Sequence, residues 1–108
     1  MKFITSSENP VIKRAIGLRQ RKVREKEGRY LIEGLHICKE ALKVSEDIEL
    51  ILIRESLFND GKDEELKEII EHLNAQEAKS VLVEDRLFDK VADTETPQGI
   101  AAIMKRRE

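Results

Sequence analysis

Residues 29–42 read Arg29-Tyr30-Leu31-Ile32-Glu33-Gly34-Leu35-His36-Ile37-Cys38-Lys39-Glu40-Ala41-Leu42, and the fold is decided by how this stretch is read. Five residues of strand character end at a glycine. Beyond it, Leu35, Cys38, Ala41 and Leu42 recur at the spacing of one helix face. Downstream the alternation continues. The run Ile48 to Ile53 is apolar on both faces, as expected for a strand covered on both sides. Asn59-Asp60-Gly61 signals a turn, and Leu66, Ile69, Ile70 and Leu73 then mark an amphipathic helix. Ser80 to Glu84 reads as a strand, Leu87, Phe88 and Val91 suit a short helix, and Ile100 to Met104 forms a last strand. Strands alternating with helices of this length imply connections over both faces of a sheet. The prediction is a three-layer α/β/α sandwich with Leu31, Leu52, Ile53, Ile69, Ile70, Leu82, Phe88 and Ile103 buried.

Upstream of this region, Asn9-Pro10 is a helix start: the Asn side chain accepts from a free backbone N–H, and Pro lacks only a donor that would be orphaned there. A helix is expected from Pro10 toward Lys26. Val11, Ile12, Ala15, Ile16, Leu18 and Val23 fall on one stripe, with Lys13, Arg14, Arg21 and Arg24 opposite. Gly17 lies amid that basic face. It costs the helix about 1 kcal/mol relative to alanine and leaves bare backbone that a phosphate can approach. On a continuous helix Lys22 points toward the apolar stripe, so either its stem snorkels or the helix breaks nearby. The expected organisation is a basic helical arm over 1–28 followed by the sandwich over 29–108.

The chain has 108 residues, 40% of them hydrophobic, which suits one domain with a modest core. Its formal net charge of -2 argues against a polyanion binder, but the charge is unevenly distributed. Between Asn9 and Tyr30, Lys13, Arg14, Arg19, Arg21, Lys22, Arg24, Lys26 and Arg29 face only Glu25 and Glu27. The balance then reverses, with Asp63, Glu64, Glu65, Glu68 and Glu71 crowded together. Charge alone admits either a surface for an anionic polymer or a solvated helix face.

No apolar run is long enough to span a membrane, and the polar start does not resemble a signal peptide, so a cytoplasmic protein is expected. Cys38 is the only cysteine, which excludes an intrachain disulfide. With His36 and His72 it makes no set of metal-ligand spacing, and its place on a helix face reads as core. No Gly-rich phosphate loop or Ser/His/Asp set occurs, and Phe3, Tyr30, Phe58 and Phe88 offer no interleaved stacking platform. Lys105-Arg106-Arg107-Glu108 leaves the last strand without a helix or cap to finish it, and reads as a cut.

Two segments carry a family signature. One runs from Ile4-Thr5-Ser6 through Asn9-Pro10-Val11-Ile12-Lys13, Leu18, Lys22 and Arg24 to Gly28-Arg29-Tyr30-Leu31-Ile32-Glu33-Gly34. The other is Asp93-Thr94-Glu95-Thr96-Pro97-Gln98-Gly99-Ile100-Ala101-Ala102-Ile103. In that order and separation they resemble the amino-terminal substrate-binding domain of the SpoU/TrmH family of RNA 2'-O-ribose methyltransferases. The resemblance implies a fold similar to ribosomal proteins that bind kink-turn RNA. It also implies a parent protein whose separate knotted SPOUT-type domain binds S-adenosylmethionine and forms a homodimer. The motifs of that domain are missing from this chain, so no catalytic, cofactor-binding or metal-binding residue is expected here.

RNA, ribosomal RNA first, is the implied partner, and the resemblance favours Lys13, Arg14, Arg21, Lys22 and Arg24 as its contacts. Glu33 is expected as a solvated strand-end carboxylate, the alternative being to orient a basic side chain, and Thr96-Pro97-Gln98-Gly99 as a tight entry into the last strand, the alternative being to present backbone and amide groups to RNA or to the catalytic domain. The alternatives are a free-standing RNA-binding protein related to kink-turn ribosomal proteins, and a protein–protein module using the acidic helix from Asp63 to Leu73.

Overall fold

A computed structural model describes residues 1–44, 47–76, 79–92 and 97–107. In chain order the elements are β1 (Lys2–Ile4), α1 (Pro10–Gly17), α2 (Arg21–Glu27), β2 (Arg29–Glu33), α3 (Leu35–Val44), β3 (Ile48–Arg54), α4 (Glu55–Asp60), α5 (Glu64–Gln76), β4 (Ser80–Val83), α6 (Asp85–Val91) and β5 (Ile100–Lys105). One five-stranded sheet has the order β1-β4-β3-β5-β2. β4 runs parallel to both β1 and β3, while β5 lies antiparallel between β3 and β2.

Alternation along the strands divides the interior in two. Leu52, Val81, Val83, Ala101 and Ile103 face Ile12 and Ala15 of α1, Leu18 just beyond it, and Leu87, Phe88 and Val91 of α6, and Val23 of α2 packs on the same side. Ile51, Ile53, Ile100, Ala102 and Met104 face Leu35, Cys38 and Leu42 of α3 and Leu66, Ile69 and Leu73 of α5. The three-layer sandwich read from the sequence is the observed architecture.

Several details differ from expectation. Residues 1–28 do not form an arm outside the sandwich, because β1 supplies an edge strand and α1 part of a helical layer. Leu31, Ile70 and Leu82 are half-buried rather than buried, each packing at the margin of a cluster. α4 was not foreseen, and the turn signal at Asn59-Asp60-Gly61 marks its end, with Gly61 left-handed at φ 65°.

The expected helix from Pro10 to Lys26 is broken at Leu18–Gln20. Asn9 Oδ1 caps α1 by accepting from Val11 N–H at 2.9 Å, and the helix stops at Gly17. Leu18 and Arg19 would normally offer their carbonyls to a following turn of helix. Here both carbonyls accept from Arg24 Nη1, each at 2.9 Å, and Gln20 adopts an extended conformation before α2 begins. Gly17 is half-covered, with Val23 Cγ1 3.7 Å from where a Cβ would stand. It serves the turn between two helices, and its backbone is not an open approach for a phosphate.

Candidate nucleic-acid interface

Because of the break, the basic residues do not share one helical face. Arg14 turns inward: Nη1 lies 2.5 Å from Glu49 Oε2 and Nε donates to Glu27 Oε1 at 3.4 Å. Arg29 Nε donates to the other oxygen of Glu49 at 3.2 Å. The Arg14–Glu49 contact is the shortest in the group. These four residues come from α1, α2, β2 and β3, so the network ties the two helices to the sheet. Arg24 is equally occupied, holding the α1–α2 turn.

Burial works to raise the Glu49 pKa, but the hydrogen bonds and charges of Arg14 and Arg29 outweigh it and hold the carboxyl below its ordinary value. The hydrogen bond to Glu49 correspondingly raises Arg14. A carboxylate with a lowered folded-state pKa stabilises the protein above its unfolded value, about 4.3, and loses that contribution as pH falls through the folded value. Glu49→Gln is therefore expected to be less stable than wild type at neutral pH and to lose less stability on acidification below about pH 4. Urea unfolding at neutral and acid pH checks this; equal acid sensitivity of the two proteins would remove the network as its source.

The remaining basic side chains point outward. Lys13 is exposed and pairs with Glu8 at 2.7 Å, and Arg21 is exposed and pairs with Glu25 at 3.0 Å. Such surface pairs are worth about 0–1 kcal/mol and exchange readily for phosphate. Lys22 and Lys26 are exposed with no ion-pair partner among the described residues. The break resolves the position of Lys22, which does not face the apolar stripe. α5, with Glu64, Glu65, Glu68 and Glu71, lies on the opposite face of the sheet, where Glu65 and Glu68 hold Lys39 of α3. The sheet thus separates a basic layer from an acidic one.

Comparison with known proteins places this geometry. Residues 9–102 match the family described as the MRM3-like substrate binding domain. The chain belongs to that family. It is 38% identical over 103 residues to the 23S rRNA (guanosine(2553)-2'-O)-methyltransferase RlmP of Bacillus subtilis, covering 95% of this chain and 37% of that protein. Among solved structures it is similar to an RNA 2'-O ribose methyltransferase, with 27% identity and a TM-score of 0.70 over 98% of this chain and 38% of that one. The AdoMet-bound rRNA methyltransferase from Sinorhizobium meliloti shares the fold, with a TM-score of 0.75 at 21% identity over 98% of this chain and 37% of that one. The chain spans little more than a third of the length of each.

In this substrate-binding domain the two signature segments meet at the carboxyl end of β2 and the start of β5. Gly34 N–H donates to Ile100 O at 3.0 Å, and Leu35 N–H, at the start of α3, donates to Gln98 Oε1 at 2.7 Å. Gly34 has φ 117°, and a Cβ there would stand 3.0 Å from that oxygen. Gly99, at φ 99°, admits Leu57 and Arg54 to within 3.3 Å of its missing Cβ, while its carbonyl accepts from Arg54 N–H at 2.7 Å. Asp93–Thr96, the first part of that segment, lies outside the described residues.

The carboxyl ends of the strands, where an open α/β sheet offers space for a nucleotide, are thus occupied by Gln98, Leu57 and Arg54. Arg54 is itself held by Asp85 and Asp89 and lies 5.2 Å over the Phe88 ring. These residues do not fit S-adenosylmethionine. Glu33 is half-buried at the end of β2, and its charge adds to the burial that pushes the Cys38 thiol up to about 12. Cys38 is fully buried, as its helix position suggested.

Reading the sequence missed three roles. Gln98 caps α3 from a distant segment, Arg14 and Arg24 hold the scaffold, and Lys26 is an exposed cation with no ion-pair partner among the described residues. Only Lys26 had a signal, its place in the basic run.

Proposed function

We propose that this chain is the substrate-recognition domain of an S-adenosylmethionine-dependent rRNA 2'-O-ribose methyltransferase. Its α1–α2 face grips the phosphates of folded ribosomal RNA, while the catalytic domain of the parent protein binds the cofactor. The observation that carries this reading is the segregation of charge, with Lys13, Arg21, Lys22 and Lys26 directed outward from a layer opposite the acidic α5. Family membership supplies the class of substrate, and the named relatives supply the reaction. Arg14 and Arg24 belong to the expected contact set but act here by fixing the relative placement of α1 and α2. The parent is read as a cytoplasmic homodimer; no helix among the described residues is long and apolar enough to cross a membrane.

Four phosphate contacts to irregular RNA contribute about -2.8 to the slope of log affinity against log salt, so a fourfold rise in salt weakens binding by about fifty-fold. Replacing Arg21 and Lys22 by Ala is expected to flatten that slope by about 1.4 with all RNAs weakened alike, since phosphate contacts position without reading sequence. Thermal melts should not move. The check is salt-dependent binding to a bulged ribosomal RNA hairpin, and an unchanged slope would take α2 out of the interface.

A further inference from the structure

The basic surface does not end with α2. The backbone of Arg106, just past β5, donates its N–H to Gly28 O at 2.9 Å, and Gly28 is the left-handed residue that closes α2. One residue earlier, Lys105 sits in register with Arg29, the first residue of β2. Two segments far apart in sequence are therefore adjacent in space. Alternation along β5 puts Ala101 and Ile103 in the cluster beneath α1 and α6, and the same alternation turns Lys105 toward the layer that contains α2.

Both Lys105 and Arg106 are exposed, and neither has an ion-pair partner among the described residues. The nearby carboxylates have other contacts: Glu27 and Glu49 hold Arg14, Glu49 also holds Arg29, and Asp47 takes Arg107 at 2.5 Å. Lys22, Lys26, Lys105 and Arg106 are thus four exposed cations without ion pairs around one junction. Exposed cations brought together by backbone pairing, with the neighbouring carboxylates engaged by other arginines, suit the sugar–phosphate backbone of a nucleic acid.

We infer that the end of β5 is the second half of the RNA surface, with Lys105 and Arg106 continuing the phosphate track that begins on α2. The inference rests on the reading of the chain as an RNA-recognition domain, and names where on it the RNA runs. The RNA crosses from the outer side of α2, past Gly28, onto the start of β2 and the end of β5, at the end of the sheet remote from the Gly34–Gln98 junction.

The test compares the whole chain with Lys22→Gln/Lys26→Gln, Lys105→Gln/Arg106→Gln and the quadruple variant, measuring affinity for a bulged ribosomal RNA hairpin across a salt series. Each pair is expected to flatten the log–log slope by about 1.4 and the quadruple by about 2.8. Lys105→Arg/Arg106→Lys should keep the wild-type slope, which separates charge from structure, and thermal melts verify that every variant is folded. If the Lys105/Arg106 pair leaves the slope unchanged while the Lys22/Lys26 pair flattens it, the strand end is not in the interface and the functional reading stands. Failure of the wild-type chain to bind, or a steep slope that neither pair alters, overturns both.

Discussion

Ile69→Ala is expected to lower the free energy of unfolding by about 2–5 kcal/mol. Ile69 is fully buried on α5, facing a surface of the sheet that includes Ile51, Ile53 and Ala102, with Cys38 and Leu42 of α3 completing the cluster. Three carbons are lost from a site bounded by strand backbone on one side and a second helix on the other, so collapse around the hole is limited. Its neighbour supplies the control. Ile70 points to the margin of the cluster and is half-buried, and Ile70→Ala should cost roughly 1–2 kcal/mol. Denaturant unfolding of both variants gives the comparison, and equal losses would mean that α5 is rotated from the phase described.

Gly34→Ala carries the second large effect, because two independent costs meet at one carbon. The residue sits at φ 117°, where an L side chain is strained by about 1–3 kcal/mol. The new methyl would also stand 3.0 Å from Gln98 Oε1, displacing the acceptor that satisfies Leu35 N–H and adding about 1 kcal/mol for the lost hydrogen bond. Gln98→Ala alone should lose only that last amount. The two substitutions share the same hydrogen bond, so the double variant should be more stable than the sum of the singles predicts. A strictly additive cycle, measured by the same unfolding experiment, would show that the glycine and the glutamine are not coupled.

The parts of the fold that repeat locally were legible in the sequence. β2, β3, β4 and β5, α3, α5 and α6 all carry their own periodicity, and alternation along β3 and β5 gives both layers at once. β1 was not legible because three residues are too few to show a period, and its strand conformation comes from pairing with β4. The α1–α2 break was legible only as one of two readings of Lys22, the other being a stem that snorkels. Helical spacing persists through Leu18–Gln20, and what holds the break is the Arg24 guanidinium, reaching back six and five residues to the carbonyls of Leu18 and Arg19.

The candidate interface divides in the same way. That the basic charge belongs to the amino-terminal region was plain, whereas which cations are free depends on tertiary partners: Glu49, on β3, removes Arg14 from the set. Lys105 and Arg106 stood in view as a charged end to the last strand. Their proximity to Gly28 follows from the β2–β5 pairing, which no local pattern announces.

The position of β5 also sets a timetable. It lies in the interior of the sheet between β3 and β2, and it supplies Ala101 and Ile103 to one cluster and Ile100, Ala102 and Met104 to the other. Neither layer can close without it. A growing chain must therefore wait until Ile100–Lys105 has been made, and at about 5–20 residues per second the stretch from the end of β2 to the end of β5 leaves β2 without its partner for roughly 4–14 s. During that interval β3 and β2 each present an open edge, the form of backbone most prone to pair with another molecule. Closure of the sheet is thus late: the pairing of Arg29 with Lys105, nearly as long in range as that of β1 with β4, is made by the last of these strands to emerge.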